Sequence, residues 1–160
     1  TSFSIITGDE RNDLGTESTG RTRLSLIAGA NLTRRLQYVI QPWYGYQNSF
    51  FATGQSAEWY GIDQYLYYDL TSTVRIAGRF EWFRDDDGVR LGLSRPPNPN
   101  KGPYIGNMYS LSLGVNWTPR TNLILRPEVR WDWFDGAGLP FDDGNGDDQF
   151  LVGMDAIWRF

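Results

Sequence analysis

Apolar and polar side chains alternate almost without interruption from Met108 to Gly136, and this period of two constrains the fold most strongly. One face of the first half carries Tyr109, Leu111, Leu113, Val115 and Trp117. The other face carries Ser110, Ser112, Gly114, Asn116 and Thr118. Because successive side chains of a strand point to opposite faces, the pattern predicts a β-hairpin with one apolar and one polar side. The fold then depends on which of the two sides meets water.

The same alternation recurs in eight segments of the 160-residue chain. They are Ser2–Gly8, Thr22–Leu32, Leu36–Gln47, Glu58–Leu70, Thr73–Arg84, Met108–Thr118, Asn122–Phe134 and Gln149–Phe160. Most are longer than a usual soluble strand and approach the length that a tilted strand needs to cross a bilayer. None carries a 3.6-residue period, so the sequence predicts a single all-β domain over residues 1–160.

The connections between these segments alternate strictly between long and short. The short ones are Thr33–Arg35, Thr71–Ser72 and Pro119–Thr121, and the long ones are Asp9–Arg21, Asn48–Ala57, Asp85–Asn107 and Asp135–Asp148. In an antiparallel meander, this order places all short turns at one end and all long loops at the other. Outer-membrane barrels combine short periplasmic turns with longer extracellular loops in this way. We therefore expect a transmembrane up-and-down antiparallel β-barrel of eight strands.

Tyrosine and tryptophan lie near both ends of the apolar faces. Tyr38 and Tyr46 bracket Ile40 and Pro42 and are separated by about 26 Å of strand, or roughly 20 Å after tilting, which is near the height of a lipid-facing band. The predicted aromatic girdles comprise Tyr38, Tyr44, Tyr46, Tyr60, Tyr68, Trp82, Tyr109, Trp117, Trp131, Trp133, Trp158 and Phe160. Such residues favour a membrane interface because one end of the side chain is apolar and the other forms hydrogen bonds. The apolar face is therefore expected to meet lipid or detergent.

The polar face carries arginines and carboxylates in register. The predicted lumen-facing network consists of Arg75, Arg79, Glu81, Arg126, Glu128, Arg130, Asp132, Asp155 and Arg159. In a wide pore these charges would set solute selectivity, whereas in a narrow closed barrel they would pair with one another as structural packing. The charged face is also compatible with a soluble lipocalin-like barrel, which is the alternative outside the membrane.

Composition narrows the possible chemistry. The net charge of −4 argues against nucleic-acid binding, and the absence of cysteine and histidine excludes disulfides, thiolate or histidine metal sites and Ser-His or Cys-His catalysis. No spacing of the remaining acids, serines and tyrosines singles out a catalytic pair, so we expect neither an enzyme nor a cofactor. The acidic stretch Asp142–Asp148 suggests calcium but lacks the EF-hand spacing, so no metal site is predicted.

Several strings resemble the OmpL-like group of outer-membrane β-barrel porins. They are "AEWYGIDQYLYYDL" at Ala57–Leu70, "RFEWFRDDDGVR" at Arg79–Arg90, "GVNWTPRTNLILRPEVRWDWFDG" at Gly114–Gly136 and "DDQFLVGMDAIWRF" at Asp147–Phe160. The resemblance covers roughly residues 36–160 and, more weakly, Ser2–Glu10. It implies a bacterial outer-membrane location and passive diffusion of small solutes.

The terminal Phe160 resembles the signal read by the outer-membrane assembly machinery, which is therefore an expected partner. Members of the porin group are usually longer, and this chain resembles their C-terminal part. Two alternatives follow, namely a portion of a larger pore or an eight-stranded barrel that closes by itself. An eight-stranded barrel has an interior that its side chains fill, so from the chain length we expect the second alternative, a narrow barrel with little or no conductance.

Overall fold

The computed structural model describes residues 1–12, 15–91 and 103–160. These residues form eight β-strands and one short 3-10 turn at Asp142–Gly144. The strands are β1 Ser2–Arg11, β2 Ser18–Asn31, β3 Leu36–Gln47, β4 Ala57–Asp69, β5 Val74–Asp85, β6 Gly106–Arg120, β7 Leu123–Gly136 and β8 Asp148–Trp158. No helix in the described part of the chain is long and apolar enough to cross a membrane.

All eight strands belong to one sheet whose spatial order follows the chain order from β1 to β8. Each strand is antiparallel to the next, and the registers run without a crossover. Short turns join β2 to β3, β4 to β5 and β6 to β7, so these turns lie at one end of the sheet and the longer connections at the other. The predicted all-β, eight-stranded, antiparallel up-and-down fold is confirmed.

Several hairpins extend further into the long-loop end than the alternation predicts. The ladder between β1 and β2 continues to the pair Arg11–Ser18, and that between β6 and β7 begins at the pair Gly106–Gly136. Glycine and acidic residues interrupt the alternation there, but backbone hydrogen bonds do not require an apolar partner. Of the predicted loop Asp85–Asn107, residues 92–102 lie outside the described residues.

The turn predicted at Pro119–Thr121 is placed differently in the structure. Strand β6 runs through Arg120, and a register shift interrupts its pairing with β7 between Trp117 and Arg120. A bulge of this kind inserts unpaired backbone into a strand and increases its twist. The turn itself is reduced to Thr121 and Asn122.

The two faces of the sheet differ sharply in exposure. Apolar residues stay exposed on one face, as Leu113 at 55%, Met154 at 71% and Val152 at 74% illustrate. On the opposite face, Ser112 and Asp132 are buried. A water-soluble sheet would bury its leucines and valines instead, so the exposed apolar face is the side suited to hydrocarbon.

The sheet is open in this structure. Strand β1 is hydrogen-bonded to β2 and β8 to β7, and no ladder among the described residues joins β1 to β8. Both faces of β1 and β8 are consequently exposed along most of their length. The strand number and order agree with the expected barrel, whereas its closure by these eight strands alone is not observed.

A small core lies on the polar face at the long-loop end. Phe50 from the β3–β4 loop and Val89 from the segment after β5 pack with Ala57 and Trp59, and Trp43, Phe51 and Phe83 border this cluster. Because residues from two loops are buried against the strands, this end of the polar face is packed and can hold side chains in place for a site.

Candidate functional site

Three ion pairs join predicted charged residues of the polar face to one another. Arg126 donates two hydrogen bonds to Asp155 across β7 and β8, at 2.7 and 2.6 Å. Arg130 pairs with Asp132 at 2.6 Å and Arg79 with Glu81 at 3.1 Å, in both cases along one strand. These contacts place oppositely charged groups together on the polar face; their role in a lumen remains a prediction.

The remaining members of the predicted network behave differently. Arg75 pairs with Asp69, which was not in the predicted set, through two hydrogen bonds of 2.6 and 3.0 Å. Glu128 and Arg159 form no ion pair with any other described residue. The charged residues therefore form separate pairs rather than one continuous network.

The predicted girdle residues within the strands lie on the apolar face, whereas Phe160 follows the end of β8. Several of them contact each other near the long-loop end. Trp133 stacks on Tyr109 at 5.1 Å and on Trp131 at 4.6 Å between ring centroids. The indole of Trp82 donates to Asn107 at 3.0 Å, and that of Trp131 donates to Asp148 at 2.8 Å. Each indole thus combines an apolar ring with a satisfied polar N–H. Their contact with lipid remains a prediction.

A second group of residues, absent from the predicted site, lies on the polar face at the long-loop end. We call it the arginine–tryptophan cluster; it comprises Arg21, Arg23, Trp43, Trp59 and Arg90. The guanidinium carbon of Arg90 lies 4.0 Å from the centroid of the Trp59 ring, and that of Arg21 lies 5.2 Å from it. Arg23 lies 4.9 Å from the ring of Trp43. Such contacts attract a cation to the negative face of the ring.

Register explains how three strands bring this cluster together. Arg21 and Arg23 are two residues apart on β2 and therefore share a face, and Arg23 pairs with Gly45 of β3. Gly45 in turn pairs with Trp59 of β4. A Cβ at Gly45 would overlap the indole of Trp59, so glycine lets that ring lie across the neighbouring strand.

Asp85, at the end of β5, positions Arg90 over the other residues of the cluster. Its fully buried carboxylate accepts the backbone N–H groups of Val89, Arg90 and Leu91 at 3.1, 2.6 and 2.8 Å. Gly88 has a φ of 68°, a left-handed conformation that glycine adopts without steric cost. The resulting tight turn brings Arg90 back over the polar face.

Gln47 and Glu10 hold the guanidinium of Arg90 in position. Gln47 is fully buried, and its Nε2 donates to the carbonyl oxygens of Glu10 and Arg11 and to Thr19. Its Oε1 accepts from Arg90 at 3.3 Å. Glu10 accepts from both Arg90, at 3.4 Å, and Arg21, so one carboxylate serves two arginines.

The cluster borders a cleft of about 320 Å³ with an unusual lining. Three arginines and three aromatic rings line it, namely Arg21, Arg23, Arg90, Trp43, Trp59 and Phe83. No carboxylate of the described chain is among the lining residues. Burial and the neighbouring Arg21 lower the pKa of Arg90 from its ordinary value. The cleft is therefore lined by cationic and aromatic groups.

The protein leaves part of the hydrogen-bonding capacity of these arginines unused. The Nε–H groups of Arg23 and Arg90 are buried without a hydrogen-bond partner in the described residues. Arg23 also makes no ion pair there, although it experiences electrostatic attraction from Asp63. A guanidinium carries five donors, and unsatisfied buried donors are unfavourable.

Sequence reasoning missed this cluster for an identifiable reason. Arg90 lies in a predicted loop, outside the alternating segments from which the charged network was read. The available signals were the spacing of Arg21 and Arg23 and the acidic, glycine-containing turn Asp85–Gly88. The described residues also contain no group of three or more acidic residues arranged to hold a metal ion.

An up-and-down antiparallel sheet with an exposed apolar face, aromatic residues along it and a charged opposite face defines the wall of a porin-like β-barrel. The chain belongs to the family described as putative beta-barrel porin-2, OmpL-like, whose model matches residues 1–160. The match therefore includes the N-terminal strands, where the resemblance in sequence was weakest. Neither the curated proteins nor the solved structures gave a match. The porin-like family is in general not enzymatic.

Proposed function

We propose that this chain forms part of the wall of a passive diffusion pore for small polar solutes in a bacterial outer membrane. The observation that carries the proposal is the division of the sheet into an exposed apolar face and a face with ionised pairs such as Arg126–Asp155. Ionised groups that stay half exposed to solvent suit a water-filled pathway, whereas the apolar face suits lipid or detergent. Membership of the porin-like family supports the same role.

The open sheet favours a wide pathway over a narrow barrel. Eight strands that closed on themselves would leave an interior just wide enough for their own side chains, whereas larger barrels enclose water. Here the edges of β1 and β8 both retain unpaired backbone groups in the described structure. Such edges require further strands, which other copies of this chain supply in a purified sample, before the sheet can reside in hydrocarbon.

A narrow, poorly conducting barrel is the second candidate. It is favoured by the bulk of Trp43, Trp59 and Phe83 on the polar face, with Trp43 and Phe83 5.3 Å apart between ring centroids. In a barrel of eight strands these rings would fill the lumen. The charged pairs would then serve as structural packing.

The proposal includes lipid as a partner of the apolar face and the outer-membrane assembly machinery as a partner of the C-terminal strand. The outward side of β8 presents Phe150, Val152, Met154 and Trp158, followed by Phe160. No catalytic step, metal or cofactor is assigned to the chain.

Planar-bilayer recordings of the purified, detergent-solubilised chain test the pore. We expect discrete conductance steps that scale with salt concentration, and a heat-denatured sample serves as the control. Silence from protein that shows heat-modifiable migration in gels would contradict the diffusion pore and support the narrow barrel. Monodisperse behaviour without detergent would contradict both and support a soluble barrel.

A further inference from the structure

We propose that the arginine–tryptophan cluster is a binding site for small organic anions that combine a carboxylate with a flat apolar body. The inference deepens the proposed pore, on which it rests for the way solutes reach the site. Binding itself can be measured without any conductance. Nothing in the family description assigns a ligand to these residues.

Charge is the first argument. Arg21 and Arg90 share Glu10 as their carboxylate partner, whereas Arg23 forms no ion pair with another described residue. The buried carboxylate of Asp85 is directed at three backbone amides. Asp63 attracts Arg23 but does not line the cleft. An anion entering the cleft therefore meets three guanidinium groups, and neither Glu10 nor Asp63 is part of the lining.

The contrast with other arginines of the polar face gives this argument its specificity. Arg126 and Arg75 each donate two hydrogen bonds to a single aspartate, in the paired geometry that a guanidinium forms with a carboxylate. Those two arginines are already occupied. Arg23 has no such partner among the described residues, and Arg90 shares its carboxylate with Arg21 at the longer distance of 3.4 Å.

Shape supplies the second argument. Trp43, Trp59 and Phe83 present rings to the same cleft, and its volume of about 320 Å³ lies at the lower end of the range for small-molecule pockets. A bare inorganic anion would leave the aromatic lining without contact. A carboxylate attached to a flat ring would contact the guanidinium groups with one end and the aromatic groups with the other.

Preorganisation supplies the third argument. Arg90 and Trp59 are held in place before any ligand arrives, because Asp85 and Gln47 bind Arg90 and Gly45 makes room for the ring of Trp59. A site held by its own scaffold loses little conformational freedom on binding.

Calorimetric titration of the full chain in a non-ionic detergent with benzoate, acetate and inorganic phosphate tests the site. We expect benzoate to bind at least about fivefold more tightly than either of the other anions. The double variant R23Q/R90Q is expected to weaken benzoate binding at least about tenfold, since it removes two charged donors. Equal affinities for the three anions, or no binding of benzoate, would overturn the proposal.

The matched control is the double variant R34Q/R120Q, which removes the same charge from two exposed positions near the short-turn end. It should bind benzoate within about twofold of the parent chain, because these positions are outside the cluster. An equal loss in both double variants would show a non-specific charge effect and sink the site. If R23Q/R90Q lacks the heat-modifiable gel band of a folded barrel, Arg90→Gln alone carries the test, because Arg90 lies outside the strands.

Reversal potentials in a salt gradient separate the two proposals. The parent chain should prefer anions, and R23Q/R90Q should lose much of that preference while it still conducts. Benzoate binding by a chain that does not conduct would refute the pore and keep the site. Conductance without benzoate binding would keep the pore and refute the site.

Discussion

The carboxylate of Asp85 accepts the backbone N–H of Arg90 at 2.6 Å, and this contact fixes the backbone from which the arginine side chain extends. Two further amides, those of Val89 and Leu91, donate to the same carboxylate. A strand terminus thereby controls the conformation of the segment that follows it. The position of Arg90 over the Trp59 ring depends on a buried acid that is not itself part of the cleft.

Substitution of Asp85 by alanine should loosen this segment without unfolding the sheet. Three backbone amides would lose their acceptor, and each such loss in a buried place costs about 1–3 kcal/mol. We expect tryptic cleavage after Arg90 to accelerate at least about tenfold, because local opening would become easier. Timed digestion followed by mass spectrometry measures the rate.

Asp86→Ala is the control for that experiment. Asp86 pairs with Arg84 at 2.7 Å but is more than one-third exposed, and exposed ion pairs contribute little to stability. Cleavage after Arg90 should change less than about twofold. Equal acceleration in the two variants would show that the amide contacts of Asp85 do not restrain the segment.

Gly45→Ala should destabilise the chain although alanine is the smallest possible addition. The new Cβ would overlap the indole of Trp59, and relieving such overpacking typically costs about 1–3 kcal/mol. Denaturant unfolding in detergent, followed by near-ultraviolet circular dichroism, measures the change. The ring contact between Trp59 and Arg90 should be disturbed with it.

Gly78→Ala provides the matched comparison in another strand. A Cβ at Gly78 meets no atom within 4 Å, so the same chemical change has space there. We expect a stability equal to that of the parent chain or slightly higher, because alanine restricts the unfolded chain. A loss at Gly78 as large as that at Gly45 would refute the packing explanation.

Much of the sheet could be predicted because a period of two assigns each residue to a face. Arg126 and Asp155 fall on the polar face by parity alone, and the antiparallel register places them opposite one another. Arg90 could not be placed in this way. Its position follows from three amide contacts to one carboxylate and from the left-handed conformation of Gly88, and neither has a periodic signature in sequence.

Whether the sheet closes into a barrel was the other feature that the alternation of side chains could not predict. Alternation identifies the face of a residue but carries no information on curvature, or on whether the first strand pairs with the last. The strand ends were misplaced for a related reason, since the ladder continues through Arg11–Ser18, where polar residues hide the alternation.

Leu113→Arg should be costly if the apolar face lies in hydrocarbon. Leu113 is in the middle of β6, and an arginine on the lipid face near the bilayer midplane costs about 2–4 kcal/mol. Unfolding of the chain in lipid vesicles by denaturant measures this loss.

Leu32→Arg gives the corresponding change at the short-turn end of the sheet. Leu32 follows β2 in a short turn and is exposed to a similar degree, and the cost near an interface falls to about 0–1 kcal/mol. Indistinguishable losses at the two leucines would contradict the membrane orientation of the apolar face.

Engineered cysteines decide whether β1 and β8 meet, and the chain lacks native cysteines that would interfere. Pairing Ser4→Cys in turn with a cysteine at each polar-face position of β8 scans the possible registers; these positions are Gln149, Leu151, Gly153, Asp155 and Ile157. Because a disulfide requires Cα atoms roughly 4.4–6.8 Å apart, the open sheet predicts no intrachain bond in any pair.

Ser4→Cys with Ser25→Cys is the positive control, since these residues are partners in the β1–β2 ladder. Non-reducing gels at low protein concentration separate intrachain from interchain bonds. An intrachain disulfide between Ser4→Cys and any of the β8 positions would demonstrate closure by eight strands, and with it the narrow, side-chain-filled interior that the pore proposal denies.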